Sequence, residues 1–528
     1  LGAILLDRRW AKAKGLILPA SESLGRRLTR LSIPKDEGFR RAVIDRYEVC
    51  IDSVCSAKAL VAIAVRNGIG YYLIEEPPLD EQTRNLLVEV MNYVYASIPL
   101  SKALDPQLLR EEVLRAASEL GLAEELRERM DSLWYYVLRE MMYSVITIPL
   151  MDPYVEDVEL SDWRSPVTVV HRAYSDIVVP GGLVTNIRFA SEEEARAMVV
   201  RLGVKAGKSV SLARPRLQAS LPEGYRVAAT LGEVSEGPTF DIRKFPTVPI
   251  VVTTLIREGV LSPLMAAYYW LINDTRQFYM IVGGSGVGKT TMLNALLMLT
   301  HPMWKIVVIE DVPEIVIKTC DEGSRHRVVK FLSNERATAF DLAVDALRYR
   351  PDIIVVGEVR GREIEALVRA VASGSGSATT FHASTPEEVM MAVRNLLPHD
   401  LYALFIANIA SIAFIAKVFH SREGRYVRRV VGVYEYSDGR WVEVFRWLGD
   451  NDRYEPSDPR AVVRASRAMK RAAAFLVMSP EELIDELRRR AEFLGSLAEE
   501  EPLDPLEEYR RLSLAISEFY REEWGRRG

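Results

Sequence analysis

Glutamine, histidine and cysteine are all scarce in this chain: four, six and three among 528 residues. Three cysteines can build neither a disulfide framework nor a four-cysteine zinc site. Cys50 and Cys55 are expected to pack as small apolar side chains rather than as a metal pair, which reads as a reducing, cytoplasmic setting. Long hydrophobic runs are missing too. Only 401–419 has the length of a membrane span, and Asn408, Ser411 and Lys417 interrupt it. It reads as a helix end running into a buried strand. No secretory signal is recognised, because Asp7, Arg8 and Arg9 follow the first short apolar run. The chain is expected to be soluble. A net charge of −5 excludes a general electrostatic attraction to nucleic acid. Lysine is sparse beside arginine, 14 against 54. The scarce glutamine fits a thermophilic source, and GC-rich codon usage would also enrich arginine.

The chain is long enough for several cores. Residues 1–50 hold 11 Lys or Arg against 6 Asp or Glu. Such a segment is either a solvated helical face or a contact with an acidic membrane surface or partner. Residues 1–150 read as mainly helical, with apolar spacings of three and four over 81–96 and 106–143. Residues 151–247 read as a small α/β module: short strands at 167–170 and 176–179, a capping box at Ser191 and Glu194, and a turn at 221–224. Residues 248–425 alternate strands and helices, which implies a mostly parallel, doubly wound sheet. Its expected strands are 278–282, 305–309, 353–356, 377–381 and about 411–418. Residues 426–528 form an extension: a β-hairpin turning at 437–439, then helices opening at Asp458 and at the capping box Ser479–Glu482. No internal repeat or low-complexity tract is present.

The chemistry is concentrated at 283–290, which read Gly-Gly-Ser-Gly-Val-Gly-Lys-Thr. This matches G-x-x-x-x-G-K-[S/T] in full. An apolar β-prone segment precedes it and a helix-prone segment follows. Glycines let backbone N–H groups curl around phosphate oxygens, and the helix N-terminus adds a favourable field. The loop and its continuation, Gly283, Gly284, Ser285, Gly286, Val287, Gly288, Lys289, Thr290 and Thr291, are the expected nucleotide-binding residues. Lys289 would reach the β- and γ-phosphates, and the Thr290 hydroxyl would ligate Mg²⁺. The loop alone implies a nucleoside triphosphate and leaves the use of its energy open.

A phosphate loop needs carboxylates for metal and water. Glu310 and Asp311 end one expected strand, with Glu314 shortly after. Glu358 ends another, where Gly357 stands in a position that is commonly aspartate. Carboxylates at the C-terminal ends of parallel strands face the ligand crevice. Glu358 is the candidate for polarising the attacking water. Glu310 and Asp311 are candidates for assisting Mg²⁺, directly or through water. Arg348, Arg350, Arg360 and Arg362 crowd the Glu358 segment. They either stabilise phosphate charge or pair with Asp352, Glu358 and Glu363; the sequence leaves both open. His382 ends a further strand at the same edge, where a γ-phosphate sensor would sit.

Together these segments resemble the ATPases of type II secretion and type IV pilus assembly, in particular the archaeal branch for archaella and adhesive pili. The resemblance rests on the phosphate loop, on Ile-Glu-Asp at 309–311, on Leu-Arg-Tyr-Arg-Pro-Asp at 347–352 and on Gly-Glu-Val-Arg-Gly-Arg-Glu at 357–363. It also rests on Thr-Phe-His-Ala at 380–383 and on three upstream strings at 185–188, 221–226 and 240–245. It runs from about 151 to 494. One departure is that Gly374-Ser375 replaces the usual Gly-His, so His382 alone remains of two histidines. The resemblance implies a RecA-like P-loop core with an N-terminal α/β module, assembled as a homohexamer that uses ATP and Mg²⁺. It implies that Arg226 and Arg243 neutralise nucleotide charge, from the same or a neighbouring subunit, with the nucleotide between the two modules. It further implies a cytoplasmic motor, peripheral to the membrane, that pushes on a polytopic platform protein and so moves pilin-like subunits. No specific nucleic-acid partner is expected. A DNA-translocating ATPase of a conjugation-like system shares the core and is the competing reading; a nucleotide-gated scaffold without turnover is disfavoured by intact Lys289, Thr290 and Glu358.

Overall fold

The computed structural model describes residues 30–34, 36–97, 106–174, 182–232, 234–244, 249–317, 327–334, 336–420 and 424–527. The chain divides into two units, Leu1–Phe245 and Pro246–Gly528.

The first unit is built on one nine-stranded sheet. Its strands are β1 (Val43–Cys50), β2 (Lys58–Arg66), β3 (Ile69–Glu75), β4 (Val155–Leu160), β5 (Thr168–His171), β6 (Leu183–Thr185), β7 (Arg216–Ser220), β8 (Arg226–Thr230) and β9 (Thr239–Arg243). They run in the order β1-β2-β3-β6-β5-β4-β9-β8-β7. This corrects the helical reading of 1–150, since β1–β3 lie inside it and share a sheet with the strands of 151–247. The cause is visible in β2, where Val61, Ala62, Ile63 and Ala64 are all fully buried. A strand covered on both faces shows an unbroken apolar run instead of alternation. The turn between β2 and β3 is Asn67-Gly68, both at positive φ (53° and 74°), the pairing a tight hairpin turn favours. Helices Glu81–Ser97, Pro106–Leu120 and Met130–Met141 do form in 1–150. Fully buried Arg139 is held by Glu76 at 2.7 Å and Glu140 at 2.8 Å, so its charge is compensated inside the core.

The cysteine expectation is corrected as well. Cys50 and Cys55 are joined in a disulfide, their Cα atoms 4.9 Å apart. The turn after β1 folds Cys55 back onto the strand end, within the spacing a bridge requires. Cysteine usage therefore no longer argues for a reducing compartment. Cys320 and the expected strand at 176–179 lie outside the described residues.

The second unit carries another nine-stranded sheet: β10 (Phe278–Val282), β11 (Lys305–Glu310), β12 (Arg327–Leu332), β13 (Ile353–Glu358), β14 (Gly376–Phe381), β15 (Ile409–His420), β16 (Arg425–Ser437), β17 (Arg440–Leu448) and β18 (Arg453–Glu455). Their order is β12-β11-β13-β14-β10-β15-β16-β17-β18. The ladders from β12 to β15 are parallel, and those from β15 to β18 are antiparallel. Buried side chains cover both faces, as a parallel sheet requires. The loop strand β10 is central, and β14 separates it from the Glu358 strand. This is the expected RecA-like α/β core. Edge strand β12 was not anticipated; half-exposed, it carries no clear apolar face. The boundary placed at 425/426 is also corrected, because β16–β18 continue the core sheet. Their hairpin turns at Asp438-Gly439, both at positive φ. The 401–419 segment is the helix His399–Asn408 followed by β15. Among the described residues no helix is long and apolar enough to cross a membrane.

Candidate functional site

Strand β10 is fully buried and ends at Val282, so the chain leaves the sheet at a fixed point. The following loop turns through Gly286 and Gly288 at φ 69° and 98°, values that suit glycine. A Cβ on Gly283 would lie 2.3 Å from the Ile415 carbonyl oxygen of β15, so only glycine seats the loop against that strand. The helix Lys289–Leu297 begins directly behind. Its first backbone N–H groups have no partner within the helix, a geometry suited to accepting an anion. Gly284, Ser285 and Gly286 are exposed, Thr290 and Thr291 half-buried. The Val287 side chain packs inward.

Lys289 is only 7% exposed. Its ammonium donates to the Gly284 carbonyl at 2.6 Å and lies 3.3 Å from Nδ1 and 3.4 Å from Nε2 of His382. Burial lowers its pKa, against the opposing pull of Glu358 and Glu314. His382 follows β14, between the strands that carry Lys289 and Glu358. Its Nε2 is 2.5 Å from Glu358 Oε1. The other Glu358 oxygen accepts from the Arg360 guanidinium, which also reaches Asp311 at 3.5 Å. Lys289, His382, Glu358 and Arg360 thus form one connected chain of charged and polar groups at the C-terminal edge of the parallel strands.

Gly357 explains how Glu358 is aimed. Between β13 and β14, Val356 pairs with Thr379 and Glu358 with Thr380, so Gly357 is an extra residue in β13. Such a bulge bends the strand and redirects the next side chain. A Cβ at 357 would also stand 3.2 Å from Glu310 Cγ. Glu310 therefore occupies the space an aspartate at 357 would fill. Its Oε1 accepts from the backbone of Glu314 at 3.0 Å and Ile315 at 2.8 Å. Its Oε2 is buried with no hydrogen-bond partner among the described residues. Burial pushes this carboxyl up to about 7, against those backbone donors and Lys330. An orphaned buried carboxylate oxygen at the C-terminal edge of the parallel strands fits a hydrated Mg²⁺, which is commonly held by one or two carboxylates plus phosphate oxygens. Asp311 is more exposed and is engaged by the Ser333 hydroxyl and Arg360.

The remaining arginines divide. Arg362 pairs with the buried Glu365 at 2.8 Å and exposed Arg348 lies 4.0 Å from Asp345, each pair three residues apart. Arg350 ends a short helical turn in the left-handed region. Asp352 sits at the other end of the sheet, bound by Arg276 at 2.5 Å and by the Lys305 backbone at 2.8 Å, where it ties strand starts together. In the first unit, Arg226 and Arg243 are direct cross-strand partners on β8 and β9. Asp157 lies in the same row and contacts Arg243 at 3.4 Å. Two cations facing each other across a ladder repel, and one carboxylate balances only half of the charge. Sequence reasoning did not single out Arg428, whose side chain on β16 lies against Gly288. Nothing in its spacing marks it, because a hairpin brings it to the loop.

A family model described as "Type II/IV secretion system protein" matches residues 169–412, a stretch that holds every candidate residue above except Arg428. An uncharacterized protein of Methanocaldococcus jannaschii, MJ0900, is 30% identical over 444 residues, which cover 81% of this chain and 77% of that protein. The chain belongs to the type II/IV secretion system protein family. A putative conjugal transfer protein of Mycobacterium tuberculosis is 32% identical over 285 residues, 50% of this chain and 79% of that one. Among solved structures, the ATPase DotB of Legionella pneumophila is similar at 19% identity and a TM-score of 0.42, over 64% of this chain and 84% of that one. The phosphate loop and the strings that carry Glu310-Asp311, Glu358 and His382 thus fall on one edge of the second unit's sheet.

Proposed function

We propose that this protein is a motor ATPase that converts ATP hydrolysis into mechanical work for the assembly or secretion of pilin-like subunits. The observation that carries the proposal is the convergence of Lys289, His382, Glu358 and Arg360 behind a phosphate loop. Backbone N–H groups of Gly284–Lys289 hold the β-phosphate, and Lys289 bridges to the γ-phosphate. Thr290 would ligate Mg²⁺, and Glu310 and Asp311 would assist it, directly or through water. Bound there, the ion would neutralise charge on the β- and γ-phosphate oxygens. Glu358 accepts the proton of a water that attacks the γ-phosphorus. The bond between that phosphorus and the bridging oxygen breaks, giving ADP and inorganic phosphate. His382, linked to both Lys289 and Glu358, senses the departure of the γ-phosphate, and Arg360 holds the Glu358 carboxylate. Arg226 and Arg243 supply further positive charge from the same or a neighbouring subunit of a homohexamer. The reading places the ring in the cytoplasm, peripheral to a membrane, against a polytopic platform protein.

The similarity to a putative conjugal transfer protein favours a second reading, a DNA-translocating motor. One assay separates the two. Steady-state ATP turnover of the purified protein, abolished by Lys289→Ala, supports an ATPase; absence of turnover in the wild type overturns it. Added single-stranded DNA leaves the rate unchanged on the pilin reading. Salt-sensitive stimulation by DNA supports the second one.

A further inference from the structure

The phosphate loop has two shoulders. On the β14 side stand His382 and Glu358, which face Lys289 and hence the reacting end of a bound nucleotide. On the β15 side stand Ile415, against Gly283, and Arg428, against Gly288. A Cβ at Gly288 would lie 3.4 Å from Arg428 Cδ and 3.8 Å from its Nε, so the arginine stem runs along the loop backbone. Arg428 is half-buried. Its strand neighbour Arg429 is fully engaged, with Asp452 at 2.7 Å through both Nε and Nη2 and with the Glu258 carbonyl at 2.9 Å. Among the described residues the Arg428 guanidinium has no carboxylate and no hydrogen-bond partner. A half-buried cation without a counter-charge is costly to keep unless a ligand supplies the charge.

We infer that Arg428 is a nucleotide-contacting residue that binds the non-reacting part of the ligand, the α-phosphate and its ribose, of a nucleoside diphosphate or triphosphate. The inference rests on reading Gly283–Thr290 as the nucleotide site. It follows from sidedness: Glu358 and His382 claim the γ-phosphate shoulder, and the opposite shoulder is left for the part of the nucleotide that hydrolysis does not change. Guanidinium is suited to this, because its planar fork pairs with phosphate oxygens in two-point fashion. Arg428 also lies outside the stretch matched by the family model, on the hairpin that follows it.

The test is calorimetric binding of ADP with Mg²⁺, and of a non-hydrolysable ATP analogue, to full-length wild type, Arg428→Met and Arg428→Lys. Methionine keeps the stem against Gly288 and deletes the charge. Loss of one charge-assisted contact weakens both ligands by about 10- to 100-fold and by the same factor. Lysine restores part of that loss. The ligand-free melting temperature of Arg428→Met stays near wild type, while the gain on adding ADP shrinks. ADP affinity of Arg428→Met within about twofold of wild type overturns the inference; so does a loss confined to the ATP analogue, which would place Arg428 at the γ-phosphate. Should Arg428→Met not fold, the lysine variant binding ADP as weakly as Lys289→Ala overturns the geometry as drawn, and intermediate affinity supports it. Failure of the wild type itself to bind ADP would contradict the nucleotide-site reading rather than the role of Arg428.

Discussion

Replacing Arg490 with methionine is expected to loosen the C-terminal helices from the core that carries the phosphate loop. Arg490 lies on the helix Pro480–Glu499 and is 2% exposed. Its Nη1 reaches Asp274 at 2.5 Å, its Nε reaches Glu486 at 2.7 Å, and its guanidinium stacks 4.7 Å from the Trp270 ring. Asp274 ends the helix Pro263–Asp274, which leads directly into β10. Burial alone would lower the pKa of Arg490, but Asp274, Tyr520 and Glu486 outweigh it, so the group stays charged. Methionine preserves the stem packing on Trp270 and removes the charge. Glu486 keeps Arg489 at 2.9 Å. Among the described residues Asp274 then keeps only the Tyr520 hydroxyl and becomes a buried carboxylate without a cation.

Orphaning one member of a buried pair costs about 3–5 kcal/mol. For a unit of this size that lowers the melting temperature by roughly 10 °C. Adding Asp274→Asn removes the orphaned charge, so the double variant should recover at least about 1 kcal/mol relative to simple additivity. Chemical denaturation of the four members of this cycle measures the coupling. An Arg490→Met cost below about 1 kcal/mol, or strict additivity, would refute the claim that this network fastens the helices to the core.

Three further outcomes are expected. Gly283→Ala drives a Cβ against the Ile415 carbonyl, so ADP affinity should fall at least about 10-fold by calorimetry; unchanged affinity would contradict the seating of the loop. Asp157 is pushed up to about 6 by burial, against the pull of Arg243. A carboxyl raised in the folded state favours folding at low pH and loses that contribution as pH climbs from about 4 to about 6. After allowance for solvent screening this is about 1–2 kcal/mol, and Asp157→Asn should flatten that part of the stability profile relative to wild type. An identical slope in both proteins would rule the assignment out. Arg243→Ala should lower ATP turnover without unfolding; recovery of activity on mixing with Lys289→Ala subunits would show that the arginine acts across a subunit interface, and turnover equal to wild type in the single variant would remove it from the site.

The parallel core of the second unit was legible because β10, β11, β13 and β14 are short, apolar and followed by motifs that bear chemistry. Phe278–Val282 matches the expected bounds, and Glu358 and His382 stand together at one sheet edge because β13 and β14 are neighbours. β1–β3 were missed for the opposite reason: a doubly covered strand such as β2 has no alternation to read, and the Asn67-Gly68 turn was the available signal. The disulfide was missed because a five-residue separation of cysteines fits packing, metal binding and bridging alike. Which cations meet the loop was only partly legible. Arg360 is near Glu358 in sequence and touches it, whereas Arg428 reaches Gly288 only through the β15–β16 register. The role of Gly357 needed the ladder, because a bulge is a relation between two strands and leaves no mark on one of them.

The measurement that bears most directly on the central claim is ATP turnover by Glu358→Gln, read beside its ATP affinity. Glutamine keeps the size of the side chain and part of its contact with His382 and Arg360, but it cannot accept the proton of the attacking water. Turnover should fall by about 10²- to 10⁴-fold while affinity stays within a few-fold of wild type. Turnover within about threefold of wild type would contradict the account, since the proton would then be going elsewhere.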